Sequence, residues 1–239
     1  AAWALLRPAP PAPVIRYSMG LPPDQAMRQG IPGVNLAFSP DGSRLVYVGP
    51  GEGGDQLWVR DRDRLDATPL PGTLGAVSPW FSPDGQRIVF SAGANFDLKI
   101  VPVTGGPPIT LTTPGGGSGG GTAWGPDGWI YFDAPPGLSR IRADGGTPEP
   151  VVLLDSAAGE LGHAWPAALP NGKGLLLRSR RNLDPTDFDI VAYDLKARER
   201  HVLTKGLLAR YVAPGYLVYV RADGAVLAAP FADMDVDGL

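Results

Sequence analysis

Few residues in this chain are equipped for covalent chemistry. Of its 239 residues none is cysteine and two are histidine, His163 and His201. The lack of cysteine removes a thiol nucleophile, a disulfide framework and a thiolate-held metal. A Ser-His-Asp triad gains no support from the spacing around either histidine. Two runs imitate ligand loops. The stretch PGGGSGGG at 114–121 has the glycines of a phosphate loop but lacks the Gly-Lys-Ser/Thr ending, and no helix follows to offer its N-terminus. It reads as a loop between strands. The stretch DMDVDG at 233–238 places Asp233, Asp235 and Asp237 ahead of Gly238, as in the first half of a calcium loop. The bidentate Glu that completes such a loop falls six residues after that glycine, past Leu239. DRDRLD at 61–66 alternates in charge and reads as an exposed edge or turn. No metal, no cofactor and no catalytic residue are expected.

What remains is recognition chemistry. The run GHAWPAALPNG at 162–172 sets His163 and Trp165 close together, and Arg210 with Tyr211 holds a comparable place before a later turn. A Trp supplies apolar area and one N–H, an Arg a planar fork for carboxylates, and a His a group that titrates near neutrality. These four are the candidate ligand-binding residues. The competing expectation is that they pack and hydrogen-bond inside the sheets that carry them.

The elements that must position them come from a repeat. Pro40, Pro83, Pro126 and Pro170 are 43, 43 and 44 residues apart, and Pro214 follows 44 residues later. Asp41, Asp84, Asp127 and Asn171 come next, then Gly42, Gly85, Gly128 and Gly172. Pro presets φ at the first corner of a type I turn, Asp or Asn suits the second, and Gly takes the position with φ above zero. Runs rich in β-branched and aromatic residues flank each turn: RLVYV (44–48), RIVF (87–90), WIYF (129–132), GLLLR (174–178) and YLVYV (216–220). A second hairpin and a closing run follow in each unit, which makes four short strands per roughly 43 residues. That period is the mark of a β-propeller, whose blades bury their faces by stacking around an axis. The expected fold is all-β, with antiparallel four-stranded blades near 34–73, 77–115, 121–155, 163–206 and 209–239. Two residues before each turn proline stand Phe38, Phe81, Trp124, Ala168 and Val212, apolar in every copy and expected to pack between blades.

Composition sets further bounds. The net charge of −3 and pI near 5.4 give no basic patch, so nucleic acid is not an expected partner. AAWALL at 1–6 is too short to cross a bilayer, which takes about 20 apolar residues. With the Pro-Ala run to residue 13 it reads as the end of a membrane segment followed by a stiff linker. Residues 1–13 are therefore assigned to that segment and 14–239 to the propeller.

The copies FSPDGSRLVYV (38–48) and FSPDGQRIVF (81–90) resemble TolB-type propeller repeats, relatives of the WD repeat. The motif is modified in the third copy, with Gly125 in place of Ser, and weak in the last two. Together with LWVRDRDRLDATPLPGT, VPVTGGPP and HAWPAALPNGKGLLL, the chain is similar to the extracytoplasmic propeller region of bacterial receptor-type serine/threonine protein kinases. The resemblance implies an extracytoplasmic, membrane-tethered sensor that binds a peptide, protein or small molecule at the channel mouth. It also implies an incomplete ring of a parent with six or more blades. The kinase machinery itself is absent: no His-Arg-Asp loop, no Asp-Phe-Gly, and no Gly-rich loop leading into a Val-Ala-Ile-Lys strand. Alternatives are a periplasmic TolB-like scaffold and the propeller of a prolyl-oligopeptidase-type peptidase. The peptidase reading would need an α/β-hydrolase domain, and no strand-to-helix turn here could carry its Gly-x-Ser-x-Gly elbow.

Overall fold

A computed structural model describes residues 20–28, 34–113, 121–213 and 215–231. The assigned membrane segment, the glycine run 114–120 and the DMDVDG stretch lie outside the described residues. Among the described residues nineteen strands form five antiparallel sheets, and the one helical turn is a 3-10 turn at Pro23–Gln25. Blade one holds β1 (Leu36–Phe38), β2 (Arg44–Gly51), β3 (Gly54–Asp61) and β4 (Thr68–Pro69). Blade two holds β5 (Ala76–Phe81), β6 (Arg87–Ala92), β7 (Asp97–Pro102) and β8 (Ile109–Thr112). Blade three holds β9 (Thr122–Trp124), β10 (Trp129–Ala134), β11 (Gly137–Arg142) and β12 (Gly145–Leu153). Blade four holds β13 (Gly162–Ala168), β14 (Gly174–Arg180), β15 (Phe188–Asp194) and β16 (Arg200–Lys205). Blade five shows three strands, β17 (Leu208–Val212), β18 (Tyr216–Val220) and β19 (Val226–Pro230). Within each sheet the strands pair in chain order.

The repeated triplet forms the first turn of each of the first four blades. Gly42 N–H donates to Ser39 O at 2.8 Å, Gly85 to Ser82 O at 2.8 Å, Gly128 to Gly125 O at 3.1 Å and Gly172 to Leu169 O at 2.9 Å. The glycines have φ between 68° and 78°, a region that costs other residues strain. Where the serine is kept it tightens the turn: Ser39 Oγ donates to Asp41 Oδ1 at 2.6 Å and Ser82 Oγ to Asp84 Oδ1 at 2.5 Å. Those hydroxyls hold both carboxyls below the usual carboxylate range.

Each apolar core lies between consecutive blades. One unites blades one and two through Val46, Leu57, Phe81 and Phe90. A second joins blades two and three through Val89, Leu98, Trp124 and Phe132. A third joins three and four around Tyr131, Leu138, Leu175 and Val191. A fourth joins four and five around Leu176, Ile190, Ala209 and Leu217. Phe81 and Trp124 thus pack between blades as expected. Phe38 does not: it is 53% exposed, against 2% for Phe81. Among the described residues, packing of the kind seen between consecutive blades does not join β17–β19 to β1–β4.

Val212 departs from the expectation for another reason. It is 45% exposed. The partner that Phe81 finds in Ile88, and Trp124 in Ile130, is found in blade five by Tyr211 in Leu217. Only three residues separate β17 from β18, whereas five separate β5 from β6. The shorter connection moves the inward position one residue away from where the proline count put it.

Candidate functional site

The four candidate residues lie within innermost strands. His163 and Trp165 are in β13, and Arg210 and Tyr211 are in β17. The fold distributes them over three environments.

Tyr211 belongs to packing. Its ring meets Phe231 edge-on, with centroids 6.4 Å apart, and rests on the core between blades four and five.

Arg210 and Trp165 belong to the axis. Ser78, Trp80, Thr122, Trp165, Pro166 and Arg210, from β5, β9, β13 and β17, converge on a cavity of about 10 Å³. That is room for about one water molecule, so these side chains pack closely where the four strands meet. Two bulges bring these side chains together. The ladder skips Ser78-Pro79 in β5 and Trp165-Pro166 in β13, each four residues before a turn proline counted from its second member. Proline has no N–H to give the ladder, and the residue before it adopts φ of 53° at Ser78 and 56° at Trp165. The bulge turns the Trp165 ring inward, where Gly121 makes room for it. A Cβ at Gly121 would lie 3.1 Å from that ring. The Arg210 guanidinium carbon lies 5.0 Å from the Trp80 ring centroid, and Nη1 donates to Ala209 O at 2.9 Å. Part of Arg210 still reaches solvent, yet burial of the guanidinium pulls its pKa down to about 10.

His163 belongs to a cleft between blades three and four. The cleft has a volume of about 280 Å³ and is lined by Asp133, Gly137, His163, Arg178, Arg180 and Phe188, among others. Its walls are the end of β10, the start of β11, the start of β13, the end of β14 and the start of β15. It therefore opens on the face opposite the Pro-Asp-Gly turns. His163 is held from behind. Its Nε2–H donates to Glu160 Oε2 at 3.0 Å; a carboxylate only accepts, so the proton sits on Nε2. The same carboxylate accepts from Arg200 Nη1 at 2.8 Å, the Asp155 N–H at 2.7 Å and Ser179 Oγ at 3.2 Å. Glu160 and Arg200 balance in charge. Burial, opposed by the nearby Glu160 charge, lowers the His163 pKa, so the ring is neutral at pH 7.

The residue that sequence reasoning missed is Arg178. Its guanidinium carbon lies 3.9 Å from the Trp165 ring centroid and 4.0 Å from that of Phe188. Burial lowers its pKa, and Asp133 opposes the shift. The alternation of GLLLRSR offered a signal, since a charge at 178 interrupts an apolar run. Nothing local showed that two rings would close on it.

Chemically the cleft can bind and orient. Among the described residues no group of three or more His, Asp or Glu side chains gathers to hold a metal. No helix among them is long and apolar enough to cross a membrane.

No protein-family model matches the chain, and no curated protein matches it significantly. Its similarity is to solved structures. TolB from Acinetobacter baumannii superposes with a TM-score of 0.62 at 18% identity, over 84% of this chain and 54% of that one. The chain thus spans about half the length of that relative. A putative TolB from Agrobacterium tumefaciens gives 0.62 at 21% identity, over 81% and 72%. A structure from a study of two prolyl endopeptidases gives 0.53 at 16% identity, over 82% and 34%. At these identities the likeness speaks for architecture alone, and with the five blades it establishes that this chain has the TolB-like β-propeller fold.

Proposed function

We propose that the chain is a non-catalytic binding propeller that seats its ligand in the cleft between blades three and four. The observation that carries this reading is the contrast between two openings. The space where β5, β9, β13 and β17 meet has room for about one water, whereas the cleft offers about 280 Å³, close to the lower end of small-molecule sites. Its wall is fixed by the buried Glu160 hub, so it is formed before any ligand arrives. The parent role is that of the extracytoplasmic sensor of a membrane-anchored serine/threonine kinase, supported by the likeness of the opening linker and turn copies to that group. A periplasmic TolB-like scaffold is the second reading, favoured by the two TolB superpositions.

Hydrogen exchange tests the site. Binding should protect segments 133–138, 161–164 and 178–188. Protection confined to the Pro-Asp-Gly turns would overturn the assignment. The reading frame upstream of Ala1 separates the two roles. A His-Arg-Asp catalytic loop ahead of an apolar span supports the sensor, and a bare signal peptide supports the scaffold.

A further inference from the structure

We infer that the cleft between blades three and four recognises a carboxylate, on a ligand the size of one or two amino-acid residues. The inference rests on the reading that this cleft is the binding site. It starts from Arg178 and Arg180, which stand two apart on β14 and so project from the same face of the strand. Asp133 is the carboxylate among the lining residues, and His163 is neutral, so the lining carries a net charge of +1.

The neighbouring acids do not cancel that excess. Glu160 is taken by Arg200, His163 and Ser179. Asp189 lies 2.9 Å from Lys205 Nζ and 3.5 Å from Arg181 Nε. Neither acid lies within ion-pair distance of Arg178 or Arg180.

The rings beside Arg178 then set the geometry. Trp165 and Phe188 both lie about 4 Å from Cζ, so two rings pack against the guanidinium. Its N–H groups form the fork that matches a carboxylate in two parallel hydrogen bonds. Asp133, from the same lining, acts on that guanidinium electrostatically. Held by two rings, the fork loses little freedom on binding. Arg180 is exposed at the rim, where it adds attraction without needing to be ordered first. The cleft volume of about 280 Å³ suits a small acid or the end of a peptide chain rather than a folded surface.

The test uses three probes on the whole chain: succinate, the tripeptide acetyl-Ala-Ala-Ala as free acid, and the same peptide as its amide. Tryptophan fluorescence and amide NMR shifts report binding. Succinate, the peptide acid or both should bind saturably, and the amide should not. Succinate alone assigns a small free acid; the peptide acid alone assigns a chain end. Arg180→Gln should weaken the binding acid at least tenfold. Arg178→Lys keeps the charge but loses the fork and should weaken it further. Arg180 is exposed, so its variant keeps the test decisive where an Arg178 variant folds poorly. Equal shifts at the cleft from acid and amide would overturn the carboxylate assignment and leave the cleft reading standing. No shift at the cleft with any probe would overturn the carboxylate assignment, and hydrogen-exchange protection elsewhere would overturn the cleft reading too.

Discussion

Two faces of this molecule carry the same residue type at the same place in the repeat and treat it differently. Phe81 on blade two is sealed against blade one, and Trp124 on blade three against blade two. Phe38 on blade one occupies the matching register, opposite Leu45 as Phe81 is opposite Ile88, yet more than half of it faces solvent. β1 has three residues and β5 six, and in both the phenylalanine pairs directly with the partner strand. The difference is the neighbour: a blade face becomes core only when another blade lies on it.

The strongest way to break that comparison is to truncate both phenylalanines. Phe81→Ala should cost about 3–5 kcal/mol, the range for a large buried aromatic. Phe38→Ala should cost under about 1 kcal/mol, since most of its side chain gains nothing from burial. Urea midpoints of the two variants settle it, and equal losses would show that the blade-one face is covered in solution.

A second pair sharpens the register shift in blade five. Tyr211→Ala should cost about 2–4 kcal/mol and Val212→Ala under about 1 kcal/mol, because Tyr211 faces blade four and Val212 faces water. The reverse order in thermal melts would restore the proline count and refute the shortened connection.

The seam between blades three and four carries the pH dependence. His163 has its folded pKa lowered below 6.5, chiefly by burial. The unfolded chain therefore binds this proton first as pH falls. Stability should drop on acidification from about pH 6.5 down to the folded pKa, with a slope of up to about 1.4 kcal/mol per pH unit. His163→Gln should flatten the profile in that window. An unchanged slope in the variant would place the titration elsewhere.

The smallest effect belongs to the turns. Asp84 has its pKa lowered by the Ser82 hydroxyl and the Gln86 N–H, so its contribution is present above pH 3.8 and fades as pH falls through the folded value. Asp84→Ala should lower the melting midpoint slightly at pH 7 and change it less at pH 2. A larger effect at pH 2 than at pH 7 would contradict the sign of that linkage.

Arg178 and Phe38 mark where the sequence stopped being legible. The turns, the strand count and the blade period were readable because each rests on short-range rules: Pro fixes φ, Gly accepts a positive φ, and β-branched runs pair with neighbours a few residues away. The bulges at Ser78-Pro79 and Trp165-Pro166 were also written locally, in prolines that cannot donate to a ladder. Their consequence was not. Whether the Trp165 ring would point to solvent, to the axis or to an arginine depended on strands 44 residues away closing around it, which is how Gly121 and Thr122 come to share the axial cavity with Trp165 and Pro166. His163 likewise offered an unusual residue in an unusual run, but its neutral state depends on Glu160, Ser179 and Arg200, brought together by three different segments. By itself the sequence determined a chain of β hairpins with a 43-residue repeat, because hairpin geometry is decided within one turn. Only the tertiary structure decided which blade faces are covered, how closely the innermost strands pack and that a cleft lined by two arginines opens beside them, because each depends on side chains from separate blades meeting across a seam.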